Sequence, residues 1–153
     1  MVNFKNILFV CTGNSCRSIM AEAYFNKRVE EKGLCVKSKS AGTFGIYGLK
    51  PSFETIEVLK EEKIDFYDYF SKPLTKDLVD WADIILVMTA EHREGVLAIA
   101  PNAKEKIIFL GKFRKNQGDV SIPDPIGRSL SFYRVTLNII KQSIEGLLEE
   151  SNG

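Results

Sequence analysis

Residues 5–18 read Lys-Asn-Ile-Leu-Phe-Val-Cys-Thr-Gly-Asn-Ser-Cys-Arg-Ser, and the reading of this stretch decides the fold. Its start, KNILFV, is a short apolar run bounded by Cys11 and a loop holding Gly13, which predicts a buried strand. From Ser18 to about Lys32 the pattern turns helical. Ala21, Phe25 and Val29 recur every four residues, Glu22, Lys27 and Arg28 fall on other faces, and Gly33 marks the stop. A strand therefore runs through a compact loop into a helix.

The pattern continues outward. Cys35 to Ser40 alternates weakly and predicts a second strand. Residues 42–51 form a loop with Gly42, Gly45, Gly48 and Pro51. Ser52 to Lys63 reads as an amphipathic helix with Ile56 and Leu59 inward. Asp65 to Ser71 is aromatic and fits neither period. Thr75 to Trp81 predicts a short helix, and Ile84 to Met88 a central parallel strand. Thr89 can cap a helix to about Ala98, and Lys106 to Leu110 reads as a fourth strand. Residues 111–128 read as loop. Leu130 to Glu150 is the longest helix, with Phe132, Val135, Ile139, Ile144 and Leu147 expected on its core face. Strands alternating with helices predict the α/β class, a parallel sheet covered on both faces. No repeat or linker divides the chain, so one domain over 1–153 is expected.

Composition narrows the function. The 153 residues carry 21 Lys and Arg against 20 Asp and Glu, a balance that argues against nucleic acid or a membrane surface as partner. No apolar run approaches the roughly 20 residues that cross a bilayer, and a cytoplasmic location is expected. Cys11, Cys16 and Cys35 are odd in number, against a disulfide scaffold. With one histidine, His92, and no Cys-x-x-Cys, a zinc site would lack ligands. The expected chemistry uses no metal and no cofactor.

The loop Cys11-Thr12-Gly13-Asn14-Ser15-Cys16-Arg17-Ser18 lies where open parallel sheets bind ligands, at the carboxyl end of a strand. Its backbone N–H groups can form an anion nest, and the following helix adds its positive end. Gly13 allows a backbone angle that a side chain would obstruct. Arg17 can grip two oxygens with its planar fork. The dipoles that hold phosphate also favour an ionised sulfur at the mouth of the nest. Cys11 is therefore the candidate nucleophile, forming a cysteinyl phosphate that water hydrolyses. Ser18 can donate a hydrogen bond to that sulfur. Neither G-x-x-x-x-G-K-[ST] nor G-x-G-x-x-G is present, so this is no nucleotide loop.

A phosphate ester also needs its leaving oxygen protonated. Asp124 stands in Ile122-Pro123-Asp124-Pro125, where two prolines stiffen the loop before the last helix. Asp119, beside Gly118, is the rival.

These motifs, with Ser-Ala-Gly-Thr at 40–43 and Asp-Pro at 124–125, resemble the low-molecular-weight protein tyrosine phosphatase family over essentially the whole chain. The resemblance implies a three-layer domain with sheet order 2-1-3-4. It implies Cys11 as nucleophile, Arg17 as phosphate clamp and Asp124 as general acid. Thr12, Gly13, Asn14, Ser15, Cys16 and Ser18 would contact phosphate, and Asn14 and Ser40 would hold the loop by hydrogen bonds. Cys16 matches a second loop cysteine that in relatives can form a protective disulfide with the nucleophile. A phosphorylated protein or peptide is the implied partner, with the enzyme a monomer or weak dimer.

Departures bear on the substrate. Ile19 stands where relatives often have Pro, Ile126 and Gly127 follow the acid where many tyrosine-specific members carry tyrosines, and this chain has Tyr69 near where some members have a His that supports the loop network. The chain also resembles the protein arginine phosphatase branch around SKPLTKDLVDWADIILVMT and GDVSIPDPIGRS. Ser15 supplies the hydroxyl of that branch's Thr without its methyl and leans to neither branch; phosphotyrosine, the family's default, is the first expectation and phosphoarginine the alternative. Thioredoxin-coupled arsenate reductases share CTGNSCRS but need two relay cysteines, which residues 89–105 lack.

Other residues carry lesser expectations. Phe44 and Tyr47 would either sandwich a substrate ring or plug the loop. Trp81 is read as core, Cys35 as a buried strand residue, and His92 as an exposed helix residue. Arg128 is read as solvated, as is the run Lys60-Glu61-Glu62-Lys63.

Overall fold

The computed structural model of the protein describes residues 4–65, 69–115 and 118–152, with no side-chain detail beyond 150. The aromatic stretch expected to be ambiguous is thus described only at Asp65 and from Tyr69 to Ser71; residues 66–68, and 116–117 of the long loop, lie outside the described residues.

Strand β1 (Asn6–Cys11) is followed by α1 (Arg17–Lys32), β2 (Lys37–Gly42), α2 (Phe53–Glu61), α3 (Lys76–Trp81), β3 (Ile84–Val87), α4 (Ala90–Ile99), β4 (Ile107–Phe109) and α5 (Leu130–Asn152). Short 3₁₀ turns flank β4 at Pro101–Lys106 and Leu110–Phe113, so the expected loop from 111 opens on a helical turn. The sheet is parallel throughout with order β2-β1-β3-β4. The chain steps from β1 outward to β2, then returns to β3 on β1's other side. That reversal opens a crevice at the carboxyl ends of β1 and β3.

Period two along β1 distributes its side chains to both faces. Ile7 and Phe9 join Phe25, Leu59, Leu86, Ile140 and Ile144 in one cluster under α1, α2 and α5. Leu8 and Val10 join Ile85, Val87, Val79 and Val96 in a second, under α3 and α4. A strand buried on both faces must be apolar at every position, which is why KNILFV and IILV show no alternation.

Three side-chain expectations are corrected. On α5 the buried stripe runs through Tyr133, Thr136, Leu137, Ile140, Ile144, Leu147 and Leu148, while Val135 is 55% exposed. Thr136 and Tyr133 are buried because their hydroxyls find partners, Thr136 on the Phe132 carbonyl and Tyr133 beside Cys16. On α2, Val58 and Leu59 face inward and Ile56 is half-buried. Cys35 precedes β2 and is exposed. Trp81 is half-buried on the second cluster, with the Lys39 ammonium 4.5 Å above its ring. No described helix is long and apolar enough to cross a membrane.

Candidate active site

Cys11 ends β1, and the following loop is held from several sides. Thr43 N–H donates to the Cys11 carbonyl and Phe44 N–H to the Thr12 carbonyl, both at 2.9 Å. Ser52 N–H and Thr55 Oγ1 both donate to the Ser15 carbonyl, at 3.1 and 3.2 Å. Gly42 lets β2 come this close. A Cβ there would stand 2.4 Å from the Thr12 oxygen and 2.8 Å from the Asn14 nitrogen, so any side chain would displace the loop.

Asn14 is the internal brace. It adopts φ 57°, a left-handed conformation that asparagine tolerates better than most residues. Its Oδ1 accepts from Lys72 N–H at 2.9 Å, which fixes the amide's orientation because a backbone N–H can only donate. Nδ2 then gives one proton to Ser18 Oγ at 2.7 Å and the other to Ser40 Oγ at 3.0 Å. Ser18 Oγ also lies 2.9 Å from Cys11 Sγ, and its proton is free to point at the sulfur. That is the one sense of the contact that serves an ionised sulfur. Ser40 passes the network to Glu22 Oε1 at 2.5 Å. Glu22, expected on an outer face, is buried, and burial pushes its carboxyl above the ordinary range against the Ser40 hydrogen bond and the Lys72 charge.

Arg17 opens α1 and is buried. Its Nη1 donates to the Ile122 carbonyl at 3.0 Å, and its Nη2 lies 3.6 Å from Asp124 Oδ2. Ile122 N–H is tied in turn to the Met88 carbonyl at the end of β3. The loop before α5 is thereby fastened over the crevice. Asp124 is held at Oδ1 by the Ile126 N–H, 3.0 Å away, with its side chain 45% exposed. Among the described residues no side chain caps the first turn of α1, so its amides stay available to an anion.

Arg17 and Asp124 thus face one another at the mouth of the loop that Cys11 opens. The family model for low molecular weight phosphotyrosine protein phosphatases matches residues 6–152. The chain belongs to this family. It is 35% identical over 146 residues to a protein-arginine-phosphatase of Bacillus subtilis (strain 168), spanning 95% of each chain. It is 38% identical over 145 residues to a protein-arginine-phosphatase of Geobacillus stearothermophilus, spanning 94% of each. The crystal structure of a low molecular weight protein tyrosine phosphatase from T. tengcongensis superposes with TM-score 0.88 at 36% identity, covering 95% of this chain and 99% of that one.

The low molecular weight phosphatase loop is completed here by a residue the sequence reading misjudged. His92 is 1% exposed, not on the surface. Its Nε2 lies 2.9 Å from Thr12 Oγ1, and its Nδ1 accepts from Thr89 N–H at 3.2 Å. The run Glu91-His92-Arg93-Glu94 concealed this, because the third position of a helix turns back toward its own N-terminus and here toward the crevice. Burial, with the nearby Arg17 charge, holds the imidazole down at about 4 from 6.5, against the opposing pull of Asp124. The unfolded ring therefore takes up a proton near 6.5 that the folded ring refuses until about 4. Stability is fully present above that window and lost as pH falls through it, by up to about 3 kcal/mol. Urea unfolding from pH 7 to 4 is expected to show this loss, and the His92→Gln variant to lack that component. Identical pH slopes in the two proteins would contradict it.

The remaining members of this phosphatase site fall as follows. Cys16 Sγ is buried beside Ser52 Oγ and Tyr133 Oη, each at 3.5 Å, and Ser15 Oγ lies 3.6 Å from it. Burial first, then Cys16, keeps the Tyr133 phenol above its ordinary value. The Tyr69 hydroxyl accepts from Asn26 at 3.3 Å, and Glu22 takes the Ser40 end of the loop network. Thr12, Arg17, His92 and Asp124 share a cleft of about 570 Å³ with Glu91, Arg114 and Asp119. Asp119 lines it while its Oδ1 accepts from Ser121 N–H two residues on. Phe44 and Tyr47 are 81% and 72% exposed, so neither plugs the loop. Arg128 is exposed, with its guanidinium 4.4 Å over the Phe132 ring.

Proposed function

We propose that this chain is a cytoplasmic protein phosphatase that hydrolyses phosphotyrosine through a cysteinyl phosphate, without a metal or cofactor. The observation that carries this reading is the Asn14–Ser18–Cys11 chain, which holds a hydroxyl 2.9 Å from the sulfur, within reach to donate to it. Cys11 Sγ attacks phosphorus in line, and the bond from phosphorus to the ester oxygen breaks. Asp124 gives its proton to that oxygen as it leaves. Arg17 and the loop amides hold the equatorial oxygens, where charge accumulates. Water, giving its proton to Asp124, then attacks phosphorus. The sulfur departs, stabilised by Ser18, and inorganic phosphate leaves. A monomer or weak dimer acting as one domain suffices, because nucleophile, clamp and acid come from one chain.

The exposed aromatics Phe44 and Tyr47, on a loop hydrogen-bonded to Thr12, favour an aryl ester. Phosphoarginine is the second reading, favoured by the two relatives named for it. An arsenate reductase would require relay thiols absent from residues 89–105. Matched phosphotyrosine and phosphoarginine peptides decide between the first two. The expected kcat/KM is about tenfold or more higher on phosphotyrosine. The reverse ratio would transfer the enzyme to the arginine branch.

A further inference from the structure

His92 is the single histidine of the chain, and the chemistry above gives it no step. It is buried between the start of α4 and the phosphate loop, and its ring nitrogens meet different partners. Nδ1 lies 3.2 Å from Thr89 N and 3.3 Å from Thr89 Oγ1. A backbone N–H can only donate, so Nδ1 is an acceptor without a proton, and a neutral ring must carry its proton on Nε2. That N–H donates to Thr12 Oγ1 at 2.9 Å. The Thr12 proton consequently cannot point back at the ring. Among the described residues Thr12 Oγ1 makes no other hydrogen bond, and Thr12 lines the same cleft as Arg17 and Asp124.

We propose that His92 is a positioning residue: its Nε2–H holds Thr12 so that the Thr12 hydroxyl donates to an oxygen of the bound phosphoryl group. The proposal rests on the phosphatase reading. It makes Thr12 a side-chain donor to substrate and gives α4 a part in ordering the loop. The neutral imidazole preserves this arrangement at any pH above about 4. A plain helix cap would also place Nδ1 against Thr89, but it would not couple to Thr12.

A lone histidine makes the test direct. A long-range proton–nitrogen NMR spectrum of the wild-type imidazole contains one residue, and the expected pattern is the Nε2–H tautomer. A proton on Nδ1 would overturn the proposal without any variant. Kinetics supply the second arm, with a small aryl phosphate as substrate and inorganic phosphate as competing ligand. Thr12→Val and His92→Phe are each expected to weaken phosphate inhibition roughly three- to tenfold. The double variant should be no worse than the weaker single one, because both remove the same donor. His92→Gln, which keeps an N–H donor of similar reach, should stay near wild type. If His92→Phe lowers the melting temperature but leaves phosphate inhibition unchanged, or if the two losses multiply independently, His92 is only a cap. Should wild-type protein neither hydrolyse the ester nor bind phosphate, the phosphatase reading fails and takes this inference with it. Failure of the coupling alone leaves that reading intact.

Discussion

Replacing Cys11 with Ser is expected to abolish turnover, with a fall on the order of 10⁴-fold or more in kcat. The exchange is nearly isosteric and the backbone around residue 11 is fixed by β1 and β2, so the fold should survive. What is lost is a sulfur that can ionise under Ser18 and the α1 amides. A serine hydroxyl in that place has no base to take its proton: its side-chain partner is the Ser18 hydroxyl, which is not a base. Release of the alcohol from a small aryl phosphate measures the effect. Persistent turnover by Cys11→Ser would place the nucleophile elsewhere.

Asp124→Asn is expected to separate substrates by their leaving groups. An ester with a basic leaving oxygen needs the proton, so its kcat/KM should drop about 10²- to 10⁴-fold. An activated aryl ester, whose phenolate departs unaided, should lose only a few-fold. Stability should barely change, because the carboxyl is 45% exposed and its 3.6 Å approach to Arg17 is a partly solvated ion pair. A series of aryl phosphates graded by phenol acidity checks this. Equal losses across the series would remove Asp124 from proton donation and turn attention to Asp119, which lines the same cleft.

The sheet and the loop were legible in the sequence for one physical reason. Buried parallel strands are apolar at every position, and a glycine-bearing loop between such a run and a helix has few alternatives. KNILFV and IILVM therefore gave the central pair of strands within a residue of their observed bounds, Asn6–Cys11 and Ile84–Val87. Residues whose burial depends on a distant hydrogen-bond partner were illegible. Glu22 is inside because Ser40 meets it, Tyr133 because Cys16 and Ser52 do, and His92 because Thr12 lies 80 positions away. For Glu22 and His92 polarity argued for the surface, and only tertiary contact reverses it. The α5 stripe was misphased on the same account: Val135 is apolar but exposed, while Thr136 is polar yet turns inward by bonding back to Phe132. Cys35 erred in the opposite sense, since β2 begins two residues later than its alternation implied. Cys11, Arg17 and Asp124 stood out as candidates because the expected chemistry requires those residue types. The meeting of Arg17 and Asp124 through Ile122 and Met88 was not legible, because backbone carbonyls leave no trace in sequence.

The proposed phosphatase seats one phosphate-like dianion among the donors that converge on the end of β1. Calorimetric titration of the purified wild-type protein with inorganic phosphate tests it most directly. Saturable binding of one anion per chain is expected, weakened roughly tenfold or more by Arg17→Lys, which keeps the charge but loses the fork. Absence of saturable binding at millimolar phosphate, or equal affinity in the lysine variant, would contradict it.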